Sequence, residues 1–154
     1  MQNAFTGLIQ ALSAQLKSRL EIADGSKVHV NLDDNALLIE YLPNAEQLLL
    51  AVPVSDVPAT GREKLYRELL QAQFIFAGTR GATLALDQEE RFVCLQMAPS
   101  VHALTRENFP VLVENFLNMA DHWRKRCQEI ADEGAEESGT PAPEPTPEAG
   151  MLRI

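Results

Sequence analysis

Residues 60–97 read TGREKLYRELLQAQFIFAGTRGATLALDQEERFVCLQM, and this stretch decides the fold. Thr60 and Glu63 match a capping box, in which a hydroxyl residue is followed three positions later by Glu or Gln, so a helix is predicted to start here. Gly78 and Gly81 are placed to end that helix, because glycine is the usual residue just after a helix.

Two short strands are predicted after the glycines. Residues 82–86 and 92–97 flank the polar turn formed by residues 87–90, so we expect them to pair as an antiparallel hairpin. The glycine stretch 78–81 lacks the Gly-Lys-Ser/Thr ending of a phosphate-binding loop, which favours a helix end and turn over a nucleotide site.

The residues before this stretch predict one helix and three strands. Apolar side chains recur every three or four positions over about residues 4–22, which is typical of an amphipathic helix. Strands are predicted at about 27–32, 36–42 and 47–54, with polar turns between them. Pro53 has no N–H to donate to a neighbouring strand, so it is expected at a strand end or on an edge.

The second and third strands are apolar on both faces. Leu37, Ile39 and Tyr41 alternate with Leu38 and Leu42, and the third strand repeats this pattern. Such a sheet must be covered on both sides or must keep one side for a partner. Because only three helices are predicted, the pattern favours association with another chain.

A third helix and a tail complete the chain. An apolar stripe at helical spacing starts near Thr105 and continues to Ile130. From residue 132 the sequence becomes acidic and rich in proline, which is typical of disorder. We therefore predict a folded domain over residues 1–131 and a disordered acidic tail over residues 132–154.

Charge and composition exclude several classes of partner. The 22 acidic and 13 basic residues give a net charge of −9, which repels nucleic-acid phosphates and anionic lipid headgroups. No apolar run approaches the roughly 18 residues that span a bilayer, and the N-terminal residues lack the pattern of a secretory signal. A cytoplasmic protein that binds neither nucleic acid nor membrane is expected.

Residues capable of catalysis or metal binding do not form a recognised motif. The histidines His29, His102 and His122 stand alone, and His29 alternates with polar residues as a solvated strand position would. Cys94 and Cys127 show neither disulfide nor zinc spacing. The sequence therefore predicts no catalytic residue, no cofactor and no metal.

The order of helix, three strands, helix, two strands and helix resembles the class I type III secretion chaperones, the Tir chaperone family. The similarity is strongest over LYRELLQAQFIFAGTRGATLALDQEERFVCLQM, residues 65–97, and FPVLVENFLNMADHWRKR, residues 109–126. It covers about residues 3–131. The tail departs from the shorter family pattern.

The resemblance implies an α+β fold in which helices pack on a twisted antiparallel sheet, and it implies no enzymatic activity. It also implies a homodimer that binds the N-terminal segment of one or more secreted effectors, with components of the secretion apparatus as a further class of partner. The dimer contacts would fall on the second helix, at Leu65, Leu69, Leu70 and Phe74. Effector contacts would fall on the first helix and the sheet, at Phe5, Leu8, Leu37, Ile39 and Tyr41.

Two other functions stay open on the sequence. A dimeric regulator or adaptor of the same fold would bind one folded signalling partner instead of a secreted segment. A small enzyme or ligand-binding domain would use the apolar sheet face as a pocket, and it would need polar groups that converge there.

Overall fold

A computed structural model describes residues 2–139 of the protein. Three helices and five strands follow one another in the predicted order, with short 3-10 turns at residues 74–76 and 101–103. The α+β prediction is confirmed. The elements are α1 (Gln2–Leu16), β1 (Lys27–Leu32), β2 (Asn35–Leu42), β3 (Gln47–Asp56), α2 (Arg62–Gln73), β4 (Thr83–Leu86), β5 (Phe92–Met97) and α3 (Asn108–Gly139).

All five strands form one antiparallel sheet in the order β1-β2-β3-β5-β4. The predicted hairpin is present, and Leu84 of β4 lies opposite Leu95 of β5. Helix α2 separates β3 from β4 along the chain. The hairpin of β4 and β5 that follows it joins the sheet with β5 next to β3, so β4 forms the edge.

One face of the sheet holds the core. Successive strand residues point to opposite faces, so every second residue is buried against α1 and α3. The ring of Phe5 on α1 stacks on that of Tyr41 at 5.8 Å between centroids. The buried strand residues are Val28, Val30, Leu37, Ile39, Tyr41, Leu48, Leu50, Val52, Val54, Leu84, Val93 and Leu95.

Helix α1 is shorter than predicted. It ends at Leu16, and Lys17 adopts a left-handed backbone with φ 51°. The Ser13 hydroxyl donates to the carbonyl of Ser18 and accepts from the N–H of Leu20, so it bonds the chain that turns back after the helix. The apolar spacing in the sequence extends beyond the end of the helix because Leu20, in the segment that follows, also packs on the core.

Pro53 lies inside a central strand, which differs from the predicted strand end or edge. The pairing of β3 with β2 extends only to Ala51, while the pairing of β3 with β5 shifts register between Pro53 and Ser55. The absence of an N–H at Pro53 is tolerated because Pro53 lies at a bulge and beyond Ala51, the last residue of β3 that pairs with β2.

The predicted capping box does not form. Helix α2 is preceded by Gly61, which has φ 74° and provides no side-chain cap. The chain passes close to α3 here, and a Cβ added to Gly61 would lie 3.3 Å from the Cα of Gly134. Glu63 pairs with Arg67 at 2.7 Å instead of reaching back to Thr60. Close packing on α3 therefore replaces the local cap.

The end of α2 is a sharp turn and not a continuous helix. After Gln73 the chain forms a 3-10 turn in which Ile75 and Phe76 have φ values of 51° and 57°. Gly78 then folds back, and its N–H donates to the carbonyl of Ala72 at 2.9 Å. A Cβ on Gly78 would lie 2.9 Å from that of Ala72, so only glycine fits without a shift.

Helix α3 links the core to α2 and runs past the boundary predicted at Ala131. The helix continues over residues 132–139, and residues 140–154 of the predicted tail lie outside the described residues. The indole N–H of Trp123 donates to the carbonyl of Gly78 at 3.0 Å. Arg126 binds Glu68 of α2 with an Nε to Oε2 distance of 2.8 Å, which holds the two helices side by side.

The turn between β4 and β5 is fixed by Asp87. Its carboxylate accepts hydrogen bonds from the N–H of Phe92 at 2.9 Å and from the guanidinium of Arg91 at 2.8 Å. Desolvation acts to raise the pKa of Asp87, but these hydrogen bonds, together with one from the Arg91 N–H, outweigh it and lower the pKa to about 2.

Asp87 is predicted to titrate near pH 2 in an NMR titration of the folded protein, below the ordinary aspartate value of 3.8. Because the folded-state pKa is depressed, the stabilisation is present above about pH 4 and is lost as the pH falls towards 2. Between about pH 4 and pH 2, the free energy of unfolding measured with urea should therefore fall more for the wild type than for Asp87→Asn. Glu90→Gln in the same turn is the control, and equal pH slopes for wild type and Asp87→Asn would contradict the prediction.

Candidate functional site

The side of the sheet that faces away from α1 and α3 carries an apolar patch on β2, β3 and β5, next to the Lys27–Glu40 ion pair of β1 and β2. We call this side the outer sheet face. Helices α1 and α3 pack on the opposite face, and α2 contacts α3 and β4. None of its large apolar residues is among the partly buried residues that pack on the core of the described chain. The partly or fully exposed apolar residues of the outer sheet face are Ala36, Leu38, Leu42, Leu49, Ala51, Pro53, Ala85, Phe92 and Cys94.

The sheet register explains how these residues share one face. His29 lies opposite Leu38, and Leu38 lies opposite Ala51 on the next strand. His29 is exposed, as predicted. The polar side of β1 therefore marks the outward side of β2, and this is the signal that could have identified Leu38 and Leu42 from the sequence.

The five residues proposed for effector contact lie in the core. In this structure Phe5, Leu8 and Leu37 are at most 4% exposed, Ile39 is fully buried and Tyr41 is 8% exposed. They occupy the face of β2 and the side of α1 that meet each other, so the structure does not present them to a partner. The accessible apolar residues of β2 are the alternate ones.

The two edges of the sheet differ. Beside β1, Lys27 exchanges backbone hydrogen bonds with Ala23. His29 and Asn31 follow at two-residue steps, so their N–H and C=O groups also point away from β2, and no backbone group of residues 2–139 pairs with them. On the opposite edge the N–H of Leu84 is bound by the side chain of Gln73 at 3.2 Å. The β1 edge is therefore the open one.

The residues proposed for dimer contact divide into two pairs. Leu65 and Leu69 are 1% and 4% exposed and pack inward from α2. Leu70 and Phe74 are 69% and 74% exposed. They continue into the turn after α2 with two further exposed apolar residues. We call this group the apolar tip, and it consists of Leu70, Phe74, Ile75 and Phe76.

The groups capable of chemistry are dispersed. Burial raises the pKa of Cys127 to about 11 and also raises that of Cys94, so both thiols are protonated at neutral pH. His102 pairs with Glu46 at 3.2 Å on the surface, and the ring of His122 contacts Trp123 edge-on. Residues 2–139 contain no cluster of three or more His, Cys, Asp or Glu side chains that could hold a metal. No helix within them is long and apolar enough to cross a membrane.

The outer sheet face, the open edge and the apolar tip are accessible apolar and backbone groups of the described residues. The sequence pattern of the Tir chaperone protein (CesT) family matches residues 7–124, which is well over half of the chain. The chain belongs to this family. The resemblance noted on residues 65–97 and 109–126 is thereby confirmed. A comparison with curated protein sequences finds no match.

Solved structures of similar fold include several two-protein complexes. A chain of the ExsC–ExsE complex has a TM-score of 0.68 and 20% identity, and the match covers 81% of this chain and 94% of that one. A chain of the HopA1–SchA chaperone–effector complex has a TM-score of 0.64 and 16% identity, covering 83% and 95%. The heterodimeric ExoU–SpcU complex from the type III secretion system of Pseudomonas aeruginosa gives 0.61 and 17%, covering 79% and 95%. At these identities the likeness establishes the fold.

Neighbouring residues on β2 provide a test of which face is buried. Ile39→Ala should lower the free energy of unfolding by about 2–5 kcal/mol, because it leaves a cavity in the core. Leu38→Ala, on the outer sheet face, should lower it by at most about 1 kcal/mol. Urea unfolding followed by circular dichroism measures both, and a reversed order would show that the faces are assigned the wrong way round.

Proposed function

We propose that this family member is a cytoplasmic, homodimeric chaperone without enzymatic activity that holds the N-terminal segment of type III secretion effectors in a soluble, secretion-competent state. The observation that carries this proposal is the outer sheet face, an apolar surface that none of the three helices covers. A surface of this kind on a small protein is typical of a binding site for another polypeptide.

Two features of the sheet suit an extended client. The free N–H and C=O groups of His29 and Asn31 can pair with an added strand, which supplies main-chain hydrogen bonds without requiring a particular client sequence. The outer sheet face supplies burial, at about 2.5 kcal/mol for each 100 Å² of apolar surface removed from water. A long segment that uses both can offset the entropy lost when it is ordered.

The names of the similar structures support an effector as client. One of them is described as a chaperone–effector complex, and another comes from a type III secretion system. The net charge of −9 argues against nucleic acid or anionic membrane as the partner. The dispersed histidines and protonated thiols offer no evident catalytic arrangement, which supports a binding role.

The apolar tip supports a homodimer. Four large apolar side chains in a row of seven residues are each more than half exposed. Contact of so much apolar surface with water is unfavourable. In a two-fold symmetric dimer the tip of each subunit would contact the other subunit, and the apolar surface of both tips would be removed from water.

Co-expression with candidate effectors tests the client. We expect an N-terminal effector segment to co-purify with the chaperone and to be protected from protease. Leu38→Asp and Leu49→Asp should each weaken this binding at least about tenfold, because a carboxylate would have to be desolvated on the outer sheet face. Asn118→Asp on the exposed side of α3 is the matched control. Binding that needs a folded partner, or that survives both substitutions, would contradict the proposal.

Light scattering tests the dimer. The wild type should have twice the 17.0 kDa mass of one chain. Leu70→Asp should reduce the measured mass to that of one chain, because it places a carboxylate in an apolar contact. Asn44→Asp, in the exposed turn between β2 and β3, should stay dimeric. A mass unchanged by Leu70→Asp would remove the tip from the interface.

A further inference from the structure

An apolar groove lies beside the apolar tip. It has a volume of about 560 Å³ and runs between the N-terminal third of α3, the end of β5 and the turn before β4. Arg80 is the one charged residue among those that line it. We call it the apolar groove, and its main lining residues are Thr79, Met97, Leu104, Val111, Leu112 and Phe116.

The groove exposes a large apolar side chain. Val111 is 51% exposed, so a large apolar side chain on α3 faces the solvent at the groove. Contact of such a side chain with water is unfavourable, and an apolar occupant would remove it from water.

The last three residues of the apolar tip are complementary to the groove. Phe74 is 74% exposed, Ile75 is 77% exposed and Phe76 is 55% exposed, and all three are apolar. Ile75 is β-branched and has φ 51°, a backbone conformation that such residues rarely adopt unless their surroundings impose it. Within the described chain its side chain is mostly in water, so intramolecular packing does little to impose that conformation.

Tip and groove are also adjacent. Only Ala77 and Gly78 separate Phe76 from Thr79, and the carbonyl of Phe76 accepts hydrogen bonds from the N–H groups of Thr79 and Arg80. A projection next to a recess of matching polarity is self-complementary about a two-fold axis, because each copy can place its projection in the recess of the other.

We infer that the apolar groove of one copy receives the Phe74–Phe76 part of the apolar tip of a second copy. This inference rests on the homodimer proposed above and specifies what the tip contacts. Helix-to-helix packing of two α2 helices, with tip against tip, is the alternative geometry.

The apolar area available suits a stable dimer. With large apolar side chains at roughly 150–250 Å² each, the four exposed tip residues carry on the order of 500 Å² per copy. Two tips therefore bury on the order of 1,000 Å², and the two groove linings add to this. A specific interface needs at least about 1,000 Å² in total, so reciprocal insertion is sufficient.

Cysteine cross-linking between two differently tagged variants distinguishes the geometries. One chain carries Ile75→Cys in the tip, and the other carries Val111→Cys in the groove. We expect a covalent mixed dimer when the two are co-expressed and oxidised, and at least about fivefold less covalent dimer from either variant alone, because a disulfide forms only when the two Cα atoms lie within about 7 Å. The wild type, with Cys94 and Cys127 only, is the control for the native thiols.

The outcomes separate this inference from the proposed homodimer. Cross-linking of Ile75→Cys with itself, or a dimer by light scattering that gives no mixed cross-link, overturns the tip-in-groove contact and leaves the homodimer standing. A monomer by light scattering overturns both.

Discussion

The packing of α1 and α3 on one side of a single antiparallel sheet is the constraint on which the rest of the structure depends. Strand residues alternate between faces, so this arrangement buries one set of side chains and leaves the other to the solvent. The buried set gives the domain its core through α1 and α3. The remaining set keeps several apolar residues on β2 and β3, among them Leu38, Leu42 and Leu49, so the same strands contribute both to the core and to the proposed binding surface.

The local pattern of the sequence was sufficient to predict the elements and their order. Helical spacing located α1 and α3, and the polar turn at residues 87–90 located the hairpin of β4 and β5. The errors occur where tertiary packing overrides a local signal. Gly61 replaces the capping box because α2 approaches α3 closely there, and Pro53 sits inside β3 because its missing N–H falls at a bulge. Neither contact can be inferred from neighbouring residues alone.

The site was harder to predict because it depends on which face of each element is inward. The sequence shows that Leu37 and Leu38 lie on opposite faces, but only the pairing of Leu38 with the solvated His29 decides between them. On α2 the same difficulty separates Leu65 and Leu69, which pack inward, from Leu70 and Phe74. The break after Gln73, which turns Ile75 and Phe76 outward, has no clear signal in a run of apolar residues.

The bond from Leu84 to the side chain of Gln73 has a consequence for how copies of this protein can aggregate. Continuous growth of a fibril by strand addition needs two free sheet borders, one to receive the next molecule and one to be received. Here the N–H of Leu84 on the β4 border is occupied by a glutamine from α2, while the β1 border stays available. Strand addition is therefore directed to the β1 border, where it can join one extra strand or pair two copies.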